Sequence, residues 1–377
     1  MPVQVPKDSA SSLTSSQARA REGVVSGHLL KVTRERTGRT QVQLAEDLRM
    51  DATSVQGWES GRRPLTATQT GKLREVRRTL LRLGADPTLL VLLDDALDAD
   101  AVLSHTLAGP PAADIRGHPL FSWVITRDTT HMLAWALNGI TPAAIPNAST
   151  PTRRRGPVAD SPLLGSPERR TFFAHMRRAA ELAHHAGEQG ALLRRQALYL
   201  CSYDDAPDTG AWLAEMRRQL PPPRRGRWSP YWADQRSVAA SLTRHGDTDA
   251  INAFIAEGMG DLGEQANLNY WAYWLSLDRV PQADDTFMIT RPAGSWDGLA
   301  LLRRLTNRLA PSLGCIDLNV HSVWALLTAR QGLLAADPRL NNELNQRVGV
   351  LLDSDVVSRQ SRAELESVHY GLKLHGM

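Results

Sequence analysis

The stretch that most constrains this chain is TQVQLAEDLRMDATSVQGWESGRRP, residues 40–64. Its apolar positions recur at helical spacing, and its punctuation is dense. Thr40 suits the N-cap of a helix from Gln41 to Leu48, because its hydroxyl can accept from an early amide. Leu44, Ala45 and Leu48 share one face, and the small Ala45 allows a second helix to cross closely. Arg49-Met50-Asp51 reads as a turn. Asp51 or Thr53 can then cap a second helix with Val55 and Trp58 on one side. Gly61 ends it and Pro64 prevents its continuation. Two short helices joined this tightly make a helix-turn-helix. Gly57 resists the pattern, since a mid-helix glycine costs about 1 kcal/mol against alanine.

The rest of the chain is also helical in pattern. RRTFFAHMRRAAELAHH, ALLRRQALYLC, DTGAWLAEMRRQL, DQRSVAASLTRHG and DGLALLRRLTNRL all carry the helical period, and no sustained alternating stretch demands a sheet. The expected class is all-α. Residues 1–22 are polar and unpatterned and read as a disordered arm. Residues 23–84 hold the helix-turn-helix, and 85–146 form a helical connecting or dimerisation segment. Residues 147–167, rich in Pro, Ser and Gly around Arg153–Arg155, read as a linker. Residues 168–377 form a helical bundle or irregular α-solenoid, with breaks such as RHGDTD (Arg244–Asp249) where a glycine turn precedes an Asp cap.

Charge is unevenly spread. Arg19 to Arg82 holds 14 Lys/Arg against 7 Asp/Glu, and the remainder 30 against 33, so the net +4 divides into +7 and −3. A basic patch of this kind attracts polyanions, nucleic acid above all. Only 4 of the 44 basic residues are Lys, which with the abundant Ala, Gly, Pro and Leu suggests high-GC bacterial coding. Cys201 and Cys315 are the only cysteines, which argues against a disulfide framework and a cysteine zinc site and fits a reducing cytoplasm. The first residues have no apolar core of a secretory signal, and no apolar run is long enough to span a bilayer.

The pattern Q-x-x-LA-x-x-L, then S-V-x-x-WE-x-G-x-x-P, resembles the XRE/Cro-type helix-turn-helix of phage and bacterial repressors, over about Val25–Leu83. The resemblance implies a lambda-repressor-like domain that docks its second helix in the major groove of double-stranded DNA. Gln41 then takes the place of a phosphate-backbone clamp. Thr53, Ser54, Gln56 and Gly57 fall on the outer face of the recognition helix, and Arg62 and Arg63 lie beside the phosphates. Arg34 and Glu59 would pair as a brace, and Leu30, Leu44, Leu48 and Val55 would build the core. A glycine at an outward position lets the helix lie close to the groove floor, or it accommodates a neighbouring helix. Trp58 is expected at the core edge. One head contacts one half-site, so a homodimer on an inverted repeat is expected. Leu73, Val76, Leu80 and Leu83 form a stripe that either dimerises or packs on its own domain.

No catalytic signature such as GxxxxGK[ST], GxSxG, HExxH or GxGxxG is present, so no enzyme, cofactor or metal is expected. Asp94, Asp95, Asp98 and Asp100 read as a solvated helix face. His184 and His185 diverge on a helix, and both cysteines read as core residues within apolar helices. NLNYWAYWL (Asn267–Leu275) is the densest aromatic cluster. It reads either as core filler or as an aromatic pocket for an apolar ligand, with Asn267, Tyr270, Trp271 and Trp274 as its residues. The expected function is a sequence-specific transcription regulator with a helical region that dimerises and senses a small-molecule effector or a partner protein. The alternative is a protein-interaction module with secondary DNA binding.

Overall fold

The computed structural model describes residues 22–110, 114–145, 161–222, 228–292, 294–310 and 314–375. The polar arm up to Arg21, with Arg19, and the linker up to residue 160, with Arg153–Arg155, lie outside the described residues. Every regular element among the described residues is helical. They fall into two compact units, one within Met1–Ala108 and His131–Gly165, the other within Gly109–Thr130 and Ser166–Met377.

The first unit contains α1 (Val24–Arg36), α2 (Gln41–Asp47), α3 (Ala52–Glu59), α4 (Thr70–Arg82), α5 (Pro87–Ala108) and most of α6 (Arg127–Asn138). Helix α5 was expected to open a separate connecting segment and belongs to this unit instead. Val25, Leu29, Leu30, Leu44, Leu48, Val55, Val76 and Leu80 form its core, each essentially without exposure. Trp135 of α6 closes edge-on against His28 at 4.9 Å. In the α4 stripe, Val76 and Leu80 are buried and Leu73 and Leu83 half-buried, so the stripe packs within its own unit.

Helix α1 has Gly23 at its N-cap and no capping side chain of its own. Its first amides are met from α5. Asp100 accepts from the N–H groups of Val25 and Ser26, each at 2.9 Å. This corrects the reading of Asp94–Asp100 as one solvated face, because Asp100 has no exposure at all. Burial pushes its pKa up to about 7, against the lowering effect of its bonds to Ser26 and Val25. Asp94 pairs with Arg77. Asp98 is pushed up to about 6 by partial burial and by the charges of Asp95 and Asp94.

The second unit is a run of helices packed mostly on near neighbours in the chain: α7 (Ser166–His185), α8 (Ala191–Cys201), α9 (Thr209–Arg218), α10 (Pro230–Arg244), α11 (Asp249–Gly258), α12 (Asp261–Trp274), α13 (Phe287–Thr290), α14 (Gly298–Thr306), α15 (Ile316–Ala329), α16 (Leu333–Ala336), α17 (Pro338–Leu352) and α18 (Arg359–His375). The break at Arg244–Asp249 forms as its residues suggest: Gly246 takes φ +91, and Asp247 accepts from the Ala250 N–H at 3.1 Å. Helix α8 is buried on nearly every side although it carries Arg194, Arg195 and Gln196. Arg194 is neutralised by Asp234 and Arg195 by Asp285, so these cations enter the core with countercharges. Gln196 ties the connecting segment down, accepting from the Ile125 N–H at 2.8 Å and donating to the carbonyls of Leu120 and Trp123 at 2.9 and 3.0 Å.

Cys201 is fully buried, and burial pushes its thiol far up. Cys315, expected inside an apolar helix, sits instead at the N-cap of α15 with a left-handed backbone, φ +60, and is only half-buried. No helix among the described residues is long and apolar enough to cross a membrane, and no group of His, Cys, Asp or Glu among them could hold a metal ion.

Candidate nucleic-acid interface

Helix α2 begins with a reciprocal cap. Thr40 Oγ1 accepts from the Gln43 N–H at 3.2 Å, and Gln43 Oε1 accepts from the Thr40 N–H at 2.9 Å. It ends in a Schellman turn that Arg49 closes at φ +51, with the Met50 N–H reaching the Ala45 carbonyl at 2.9 Å. Lys72 of α4 adds a hydrogen bond to the Leu48 carbonyl at 2.8 Å. These bonds fix the turn between α2 and α3. Asp51 is the N-cap residue of α3, although its side chain makes no capping bond. Gly61 ends α3 at φ +72.

Helix α3 is held against α1 by a close approach. A Cβ on Gly27 would lie 2.2 Å from the Trp58 carbonyl oxygen, so only glycine fits at that crossing. Sequence reasoning looked to Ala45 for close packing and missed Gly27, which lies in an otherwise unremarked part of α1. Trp58 is 6% exposed and packs into the edge of the core.

The brace between Arg34 and Glu59 is formed and buried, with bonds of 2.6 Å from Nε to Oε1 and 2.9 Å from Nη2 to Oε2. Arg34 also donates to the Arg39 carbonyl at 2.6 Å. Gln41 joins the same cluster, since its Nε2 donates to Glu59 Oε2 at 2.7 Å. Its amide is therefore oriented by the brace and keeps one N–H for an outside acceptor.

On the outward side, Thr53 and Gln56 are exposed, their side chains make no hydrogen bond among the described residues, and Ser54 is half-buried. Arg62 and Arg63 are exposed beside them. Gly57 is different from its expected placement: it is buried under Arg63, not open on the outer face. A Cβ at Gly57 would meet Arg63 Cδ at 3.1 Å and Cγ at 3.2 Å. The loop after α3 folds back over the glycine, with the Arg63 N–H on the Gly57 carbonyl at 3.0 Å and Arg63 Nη1 on Ser54 Oγ at 3.0 Å. The glycine makes room for Arg63, and Ser54 becomes an anchor for that arginine.

The aromatic cluster is divided. Tyr270, Trp271 and Trp274 line a cavity of about 380 Å³. Asn267 lies behind its wall without exposure, accepting from Arg236 Nε at 3.0 Å and donating to Ser322 Oγ at 2.8 Å. It supports the wall and is not itself an anchor for a ligand. The cavity is not the apolar one expected, because Arg236, Arg244 and Arg308 also line it. Nothing in an arginine-rich sequence distinguishes these three from the rest.

Residues 27–102 match the family described as a helix-turn-helix domain. The match extends into α5 and includes Asp100, in keeping with the cap that α5 places on α1. No curated protein and no solved structure matches the chain. Residues 27–102 are thus a helix-turn-helix domain, a fold that suggests a DNA-binding regulator, and a long helical region follows.

Proposed function

We propose that the chain is a sequence-specific transcription regulator of the XRE type that reads double-stranded DNA through α3. The observation that supports this most is the outward face of α3: Thr53 and Gln56 are exposed with side chains that make no hydrogen bond among the described residues, flanked by the exposed Arg62 and Arg63. Gln56 can pair bidentately with adenine in the major groove, and the arginines can meet the flanking phosphates. Gln41, aimed by Glu59, would hold the phosphate backbone at the other end. With few direct contacts available, sequence-dependent DNA shape would share the discrimination.

On this reading the protein works as a homodimer on an inverted repeat, with half-sites about 34 Å apart. The α4 stripe is occupied within its own unit, so dimerisation falls to other surfaces. The second unit dimerises, senses an effector, or both, and the chain is a cytoplasmic regulator, not an enzyme. Selection from a random duplex pool at about 150 mM salt tests this, because nonspecific contacts weaken steeply with salt. Recovery of a common two-fold symmetric sequence supports the reading. A pool that stays random, with binding that salt abolishes, contradicts it.

A further inference from the structure

Several arginines of the second unit are held by carboxylates, and three gathered around one cavity are not. Arg194 is paired with Asp234, Arg195 with Asp285, and Arg177 with Asp204 and Asp208. Arg236, Arg244 and Arg308 have no carboxylate partner among the described residues, and all three line the same cavity. A cation taken out of water needs a countercharge or a full set of acceptors.

What these three have instead are ring faces and neutral acceptors. Arg236 is 5% exposed, and its guanidinium lies over Tyr270 at 4.1 Å and Trp271 at 5.1 Å. Its Nε donates to Asn267, while its Nη2 is buried with no hydrogen-bond partner among the described residues. Arg308 is half-buried over Trp271 at 4.9 Å, with a long 3.4 Å bond to Asn319. Arg244 stands exposed over Tyr203 at 4.1 Å and bonds Ser202 and the Tyr199 hydroxyl. Burial lowers the pKa of Arg236 and of Arg308. Cation–π contacts offset only part of the desolvation, and they leave a positive field in the cavity.

We infer that this cavity binds a small molecule with an anionic head, a carboxylate or a phosphate, on a flat apolar body. The guanidinium forks match either head. Tyr270 and Trp274 stack at 5.8 Å and 15°, and Tyr199 meets Trp274 edge-on at 5.4 Å, which gives the body aromatic walls. A volume of about 380 Å³ suits one or two rings. Cys315, held at φ +60, lines the same cavity, and backbone strain of this kind gathers at ligand sites. This deepens the sensor reading of the second unit, and it rests on that reading for any effect on DNA.

The test uses the full chain and calorimetric titration with naphthoate, naphthyl phosphate, neutral naphthamide and inorganic phosphate. At least one naphthalene anion should bind about tenfold or more tightly than naphthamide, the worth of a charged hydrogen bond. The better of the two identifies the head group, and inorganic phosphate should bind more weakly than either anion that binds. Arg308→Gln should weaken that binding about tenfold, whereas Arg303→Gln, an exposed residue of α14 outside the cavity, should not. Equal binding of naphthamide, no binding of either naphthalene anion, or an Arg308→Gln variant that is folded and binds normally would overturn the inference. The selected duplex is titrated in parallel with and without the anion. Anion binding with no effect on DNA leaves the cavity assignment standing and removes the sensor role. DNA binding without anion binding removes the cavity assignment alone.

Discussion

Arg34 and Glu59 are joined by two parallel hydrogen bonds of 2.6 and 2.9 Å, and both side chains are buried at the meeting of α1 and α3. Gln41 completes the cluster from α2. One carboxylate thus orders three helices of the head. Removing a single partner leaves a buried charge without its mate, so Glu59→Ala should destabilise the first unit by about 3–5 kcal/mol. The double variant Arg34→Met, Glu59→Leu should recover much of that loss. Denaturant unfolding followed in the two variants checks both values, and equal losses would remove the ion pair from the account.

Gly27, packed against α3, and Gly57, within it, should respond in opposite ways. Gly27→Ala drives a methyl to 2.2 Å from the Trp58 carbonyl, where only backbone can yield, and should cost about 1–3 kcal/mol or more. Gly57→Ala meets only the flexible stem of Arg63 and gains helix propensity, so its stability should stay within about 1 kcal/mol of the parent. Its DNA affinity should fall nonetheless, because Arg63 is displaced from Ser54. Thermal unfolding and a duplex titration of each variant separate the two effects.

The buried cap predicts a pH dependence. Asp100 rises from 3.8 to about 7 on folding. The folded head therefore holds a proton that the unfolded chain has released, and stability falls as pH rises through that window. Asp98, pushed up to about 6, acts in the same direction. Asp100→Asn should flatten its share of the slope while one side-chain oxygen still caps α1. Unfolding midpoints of parent and variant across that range provide the comparison, and parallel curves would contradict the assignment.

Much of the head was legible in its residues, because the information is local. Thr40 capping α2, Gly61 ending α3 and Leu44, Leu48 and Val55 facing inward each follow from neighbours within a few positions. The brace was legible only through the resemblance, as no spacing rule joins Arg34 to Glu59. What escaped depends on distant contacts. Asp100 sits among other acids in sequence, and only the packing of α5 on α1 turns it inward. The resemblance placed Gly57 on the outer face, yet the loop after α3 returns over it. The cavity arginines could not be told from others, since their distinguishing property is the lack of a carboxylate partner in space.

The central claim is that α3 reads bases while Gln41 holds the backbone. The most direct test titrates Gln56→Ala and Gln41→Ala against the selected duplex and against duplexes changed at single base pairs. Gln56→Ala should lose about 1–3 kcal/mol on the selected duplex and discriminate less at one position in each half-site. Gln41→Ala should weaken all duplexes alike and leave their ranking unchanged. Identical behaviour of the two variants across the duplex set would contradict the assignment of α3 as the reading helix.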